Sequence, residues 1–272
     1  MEALQRILLD RDETAPLDVA ALELARVEYP GMEIEPFLDL LDSHARELAE
    51  RLPKEAGGVE YVKVACEYLF DELGFRGNTE RYYSAENSCL SQVLLNRAGI
   101  PITLAVVLIE VSRRLDRPVF GVSLPGHFVA RYGAQGDGLF IDCFHGGRLM
   151  DAGQCRDLAL EVSGVDIASN PALLEAATKR SILVRMLNNL RNAYLREENF
   201  ASQIAVLDLL LLAMPQSADE YKQRGVCHMA TKQYGSALAD FQRYLELSPQ
   251  AADRDLVEEQ TERLRRFLET SL

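Results

Sequence analysis

Apolar residues in the first part of the chain recur at helical spacing. Leu17, Ala21, Leu24, Ala25 and Glu28 follow a three-to-four period that ends at Pro30-Gly31. A second run passes from Ile34 through Phe37, Leu41, Leu48 and Leu52 to Pro53, and a third uses Val62, Ala65, Cys66, Leu69 and Phe70 and stops at Gly74. These patterns predict a helical N-terminal subdomain over residues 1–79, with no chemistry visible in it.

The pattern then changes period. Ile102 to Leu115 is long and almost wholly apolar, which predicts a buried helix. Val119 to Leu124, Phe128 to Tyr132 and Leu139 to Phe144 are short and rich in β-branched and aromatic residues, as strands are. Gly133 to Gly138 supplies a turn between the last two. One helix followed by an antiparallel meander predicts an α+β core over residues 80–178 rather than alternating βαβ units.

From residue 179 to 272 the pattern is helical again, and it repeats. Pro215 and Pro249 stand one tetratricopeptide period apart. Tyr221, Gly225, His228, Ala237, Phe241 and Pro249 occupy the large, small, large, small, aromatic and terminating positions of that repeat. Leu187, Leu190, Tyr194, Leu207 and Pro215 outline a more degenerate unit before it. Small residues let paired helices approach while large ones fill the gap. A last helix with Val257, Leu264, Phe267 and Leu268 on one side is expected to cap the stack.

Composition narrows the function classes. A formal net charge of −13 argues against nucleic acid or an anionic membrane as the main partner. There is no apolar run long enough to span a bilayer, and the start Met1-Glu2-Ala3-Leu4-Gln5-Arg6 has no signal-peptide anatomy. The 5 cysteines (66, 89, 143, 155, 227) are scattered and include no C-x-x-C pair, which points to a reducing, cytoplasmic setting. The 4 histidines (44, 127, 145, 228) show no H-x-x-x-H spacing, so neither a metal centre nor a cofactor is expected.

The residues that carry chemistry lie between Asn87 and His145. Cys89 stands at a predicted helix start behind Asn87-Ser88, which reads as its cap; His127 and Asp142 stand on successive strands. Cysteine, histidine and aspartate in that chain order match the papain-like and transglutaminase-like thiol enzymes, where thiolate, imidazole and carboxylate meet only in the fold. His127 and Asp142 are expected on one face of adjacent antiparallel strands, within hydrogen-bonding reach. Asn87, Arg97 and His145 are the further polar residues available to line a cleft.

Taken together, Gly74-Phe75-Arg76-Gly77-Asn78, Tyr82 or Tyr83, Asn87-Ser88, Arg97 with Gly99-Ile100-Pro101, Pro125-Gly126-His127-Phe128 and Ile141-Asp142 resemble the bacterial SirB-type proteins. That family joins a transglutaminase-like core to a tetratricopeptide-repeat tail. The resemblance spans nearly the whole chain. It implies invasion-regulator homologues with no reaction attached to the family as a whole. It also assigns His127 to the base and Asp142 to the group that orients it. Active transglutaminase-like relatives open the core helix with Gly-x-Cys. Here Gly99-Ile100-Pro101 falls on that motif, so a proline occupies the nucleophile position.

Two functions follow from this reading. In one, the chain is a non-catalytic or weakly catalytic platform with a regulatory role, whose tail and core cleft bind a protein or peptide. In the other, it is a cysteine-dependent acyl transferase or amidohydrolase using Cys89, His127 and Asp142. The distance and exposure of Cys89 relative to His127 discriminate between them.

Overall fold

A computed structural model describes residues 1–133 and 138–270. The chain divides into two compact units, Met1–Met186 and Leu187–Leu272. The fold is α+β, with a small antiparallel sheet and a helical tail.

The first unit opens with α1 (Glu2–Asp10), α2 (Leu17–Ala25), α3 (Glu35–Arg51) and α4 (Gly58–Cys66). Helix α1 has no counterpart in the sequence expectations. Its buried face, Ala3, Leu4, Ile7 and Leu8, is only two turns long and gave too short a period to read. α4 continues into a π-helical turn, Glu67–Glu72, and Gly74 leaves it with φ of 76°. The two-residue strands β1 (Arg76–Gly77) and β2 (Ala98–Gly99) pair in parallel around α5 (Leu90–Asn96). α6 (Pro101–Arg113) follows, with proline at its first position, where a missing N–H costs nothing.

β3 (Val119–Leu124), β4 (His127–Tyr132), β5 (Leu139–Asp142) and β6 (Arg148–Met150) form the antiparallel sheet in that order. The turn expected over Gly133 to Gly138 falls largely outside the described residues. Val122, Leu124, Val129, Phe140 and Met150 point to one face and are closed over by Cys155, Leu158 and Ala159 of α7 (Ala152–Ser163). α6 packs on β3 and β4 without joining that cluster, so it covers the opposite face, where Phe128, Ala130 and Ile141 are buried. β6 and α7 were not expected from the sequence, because β6 is only a three-residue edge strand and α7 buries only Cys155, Leu158 and Ala159.

A charged cluster fastens the core helix to the N-terminal helices. Arg114 Nη2 donates to Asp18 Oδ2 at 2.7 Å and its Nε to Asp42; Arg113 bridges Asp18 at 3.0 Å and Glu110 at 2.7 Å. Glu110 is 1% exposed, in the last turn of α6. Burial, and then the neighbouring Asp18 carboxylate, raise its pKa to about 7 against the pull of both arginines.

α8 (Lys179–Arg196) runs from the first unit into the second, which continues with α9 (Phe200–Ala213), α10 (Ala218–Ala230), α11 (Tyr234–Leu247) and α12 (Arg254–Thr270). The repeat positions read from the sequence fall where the pairing requires them. Gly225 of α10 lies against Phe241 of α11, where an added Cβ would come within 2.8 Å of the ring. Arg224 ties α10 to both neighbours, with Nη1 on Asp208 and Nη2 on Asp240. Val257 and Leu264 of the last helix are buried as expected of a cap. Phe267 is 49% exposed, with its ring edge-to-face on Tyr234, so the buried stripe is narrower than the sequence suggested.

Candidate functional site

The β3–β4 hairpin turns through Pro125 and Gly126, the latter at φ 71°, and delivers His127 as the first residue of β4. β5 pairs with β4 so that Ala130 faces Ile141. Alternation then sets His127 and Val129 on the same face as Asp142. His127 Nε2 lies 3.0 Å from Asp142 Oδ1, and both side chains are buried. The pair that the sequence order implied is therefore formed.

Asp142 holds more than one partner. Asp142 is the N-cap of a 3₁₀ turn, Cys143–His145, and its Oδ1 also accepts from the backbone N–H groups of Phe144 and His145. Its Oδ2 meets His145 Nδ1 at 2.7 Å and Arg148 Nη2 at 3.4 Å. Burial opposes the charge on this carboxylate, but the hydrogen bond and charge of His127, and then those of His145, bring its pKa down to about 2. Gly146 and Gly147 follow at φ 69° and 74°, and Phe70 packs so closely on Gly147 that a Cβ there would lie 2.5 Å from the ring. Those two glycines reverse the chain after His145 and keep its ring over the carboxylate.

The imidazoles of His127 and His145 stack at 5.9 Å with their planes 23° apart. Phe144 stands edge-on to both and to Tyr82. Arg185 of α8 clamps the hairpin from behind, donating to Ser123 Oγ, Leu124 O and His127 O. Neither Arg185 nor Arg148 was singled out in the sequence. Arg185 acts across 58 chain positions and carries no local signal.

Cys89 stands on a different element, at the start of α5. It is the N-cap of that helix, but its side chain is 0% exposed and makes no capping hydrogen bond. Burial, and then the carboxylates of Glu28 and Glu86, raise its thiol to about 12. An imidazolium neighbour would act in the opposite direction. The expectation that Asn87-Ser88 caps this helix is corrected: both belong to a preceding 3₁₀ turn, Ala85–Ser88. Asn87, 2% exposed, donates to the carbonyls of Arg81 and Tyr82, accepts from Asn78, and its own carbonyl accepts from Thr103. Asn87 thus organises the loop before α5. Arg97 sits at φ 53° at the end of α5 and donates to Leu73 O, so its guanidinium serves the turn after α4.

His127, Asp142 and His145 present one ligand atom each, all within 4.8 Å of one another. Chain spacing does not reveal this group, because the β4–β5 pairing closes the fifteen-position separation. No helix among the described residues is long and apolar enough to cross a membrane.

A helix opened at Pro101, an antiparallel meander bearing histidine and aspartate, and a tail of paired helices define a transglutaminase-like core joined to tetratricopeptide repeats. Comparison with known proteins agrees: residues 35–188 match the family model described as Transglutaminase-like superfamily, and residues 190–262 match a Tetratricopeptide repeat model. A UPF0162 protein of Xylella fastidiosa (strain Temecula1) is 36% identical over 249 residues, covering 90% of this chain and 89% of its own. The chain belongs to the transglutaminase-like superfamily and, within it, to the UPF0162 proteins, with which the SirB-type resemblance is consistent. Another UPF0162 protein, from Pseudomonas aeruginosa, is 32% identical over 67% of this chain and 66% of its own. Human F-box only protein 21 is 32% identical over 54% of this chain, which is 24% of that protein.

Proposed function

We propose that this chain is a non-catalytic or weakly catalytic protein- or peptide-interaction platform with a regulatory role, acting in the cytoplasm. One observation carries the reading: the thiol nearest in sequence to the nucleophile position, Cys89, is sealed from solvent and raised to about 12. Nucleophilic attack needs a thiolate, and near neutral pH that thiol supplies almost none. The residue in the nucleophile position itself is Pro101, which has no nucleophilic atom. The tetratricopeptide tail supplies what a platform needs, since paired-helix repeats present extended surfaces to peptides and proteins. The second reading, acyl transfer through Cys89, His127 and Asp142, keeps one observation in its favour, the hydrogen-bonded His127–Asp142 pair.

Iodoacetamide labelling with peptide mapping separates the two. In the native chain Cys89 stays unmodified while the unfolded chain labels it readily, and His127→Ala does not change this. Rapid labelling of native Cys89 that is lost in His127→Ala would establish the thiol enzyme instead. Panning a displayed peptide library against the full chain tests the positive half: binders are expected, and Cys89→Ser retains them. A library that enriches nothing, or binders lost in Cys89→Ser, would count against the platform.

A further inference from the structure

We propose that His127, Asp142 and His145 bind one divalent transition-metal ion through two imidazole nitrogens and one carboxylate, leaving the remaining coordination positions open beside His145. Two imidazoles and a carboxylate are the donor set that zinc and its neighbours in the first transition row prefer, and three protein ligands leave room for water or a ligand group.

The geometry gives the reasons. A carboxylate that only oriented a base would need one imidazole. Asp142 has one on each oxygen, His127 Nε2 at 3.0 Å and His145 Nδ1 at 2.7 Å. Both rings thus turn a nitrogen toward the same buried anion, and their planes lie close to parallel. The three ligand atoms lie within 4.8 Å of one another, whereas ligands on one zinc ion stand about 3.3 Å apart. Closing that triangle takes a shift of about an ångström or somewhat more. His145, with 52% of its side chain exposed, is free to supply it, while His127 and Asp142 are held by the sheet.

The surroundings suit an ion as well. The backbone N–H groups of Phe144 and His145 fix the Asp142 carboxylate from below, the outer support that metal-bound carboxylates use. The cation now opposite Oδ2 is Arg148, 3.4 Å away and 53% exposed. It competes for the same oxygen and can swing into solvent. The proposal therefore predicts opposite signs for two neighbouring substitutions, which a merely structural cluster would not show.

The test uses the full chain stripped with a chelator and titrated with zinc chloride by calorimetry near pH 7.5, with bound metal counted by elemental analysis. The expected result is one zinc per chain. His145→Ala, at a position with 52% of its side chain exposed, weakens binding by about tenfold or more. Arg148→Ala tightens binding severalfold, and His228→Ala, in the tail, leaves it unchanged. Zinc dissociation in the millimolar range for the parent, parent-like affinity in His145→Ala, or weaker binding in Arg148→Ala would each overturn the proposal. Because the readout is metal occupancy, it stands or falls separately from peptide binding and from Cys89 labelling.

Discussion

Phe241→Ala is expected to destabilise the second unit by about 3–5 kcal/mol, the cost of emptying a buried aromatic site. Phe241 is 1% exposed and central to the cluster of Ala237, Tyr244, Val257 and Leu264. The ring fills the space that Gly225 leaves, so the two positions act as one contact. Gly225→Ala is also expected to destabilise, although alanine favours helices, because its Cβ would stand 2.8 Å from the Phe241 ring. In the double variant the clash disappears with the ring, so the combined loss falls short of the sum. Hydrogen exchange of the amides in α10 and α11 measures this without interference from the first unit. Additive losses would mean that Gly225 and Phe241 do not share a contact.

The tail was legible because a repeat writes its packing rule twice. Small residues at Gly225 and Ala237, with a ring at Phe241, have no simpler explanation than two helices in close approach. The His127–Asp142 pair was legible for a different reason. In an antiparallel hairpin the pairing register fixes which positions on the two strands share a face, and both positions bore chemistry. What escaped were features decided by depth and reach. Cys89 begins its helix as read, but nothing in the sequence says that its sulfur is closed off beside Glu28 and Glu86. His145 lies only three positions beyond Asp142, yet its approach depends on two positive-φ glycines and on Phe70 packing beneath them. Asn87 looked like a cap by residue type, and it spends its side chain on the loop before it. In each case the residue type was informative, and the missing information was which neighbours the tertiary fold would bring.

Glu110 gives the second large effect, through pH. Its folded pKa of about 7 lies above the ordinary glutamate value of 4.5, so the folded chain holds this proton more tightly than the unfolded chain does. Stability from this group is therefore fully present below about pH 4.5 and is lost as pH rises through about 7. Integrated from about pH 5 to about pH 8, the loss is about 2.5 kcal/mol. Glutamine keeps the shape and cannot ionise. Glu110→Gln should thus match the parent near pH 5 to within the cost of altered contacts to Arg113 and Arg114, and gain on it by about 2.5 kcal/mol near pH 8. Asp18 explains why this group and not its neighbour takes the proton. The two carboxylates share the same arginines, but Asp18 is paired with both and its pKa is lowered, so the repulsion between them falls on Glu110. Urea denaturation of both chains at the two pH values decides the matter. Parallel pH profiles would show that Glu110 stays ionised in the fold, with Arg113 and Arg114 outweighing its burial. A gain confined to the alkaline side would identify α6 as a helix whose anchoring to α2 and α3 weakens as Glu110 ionises.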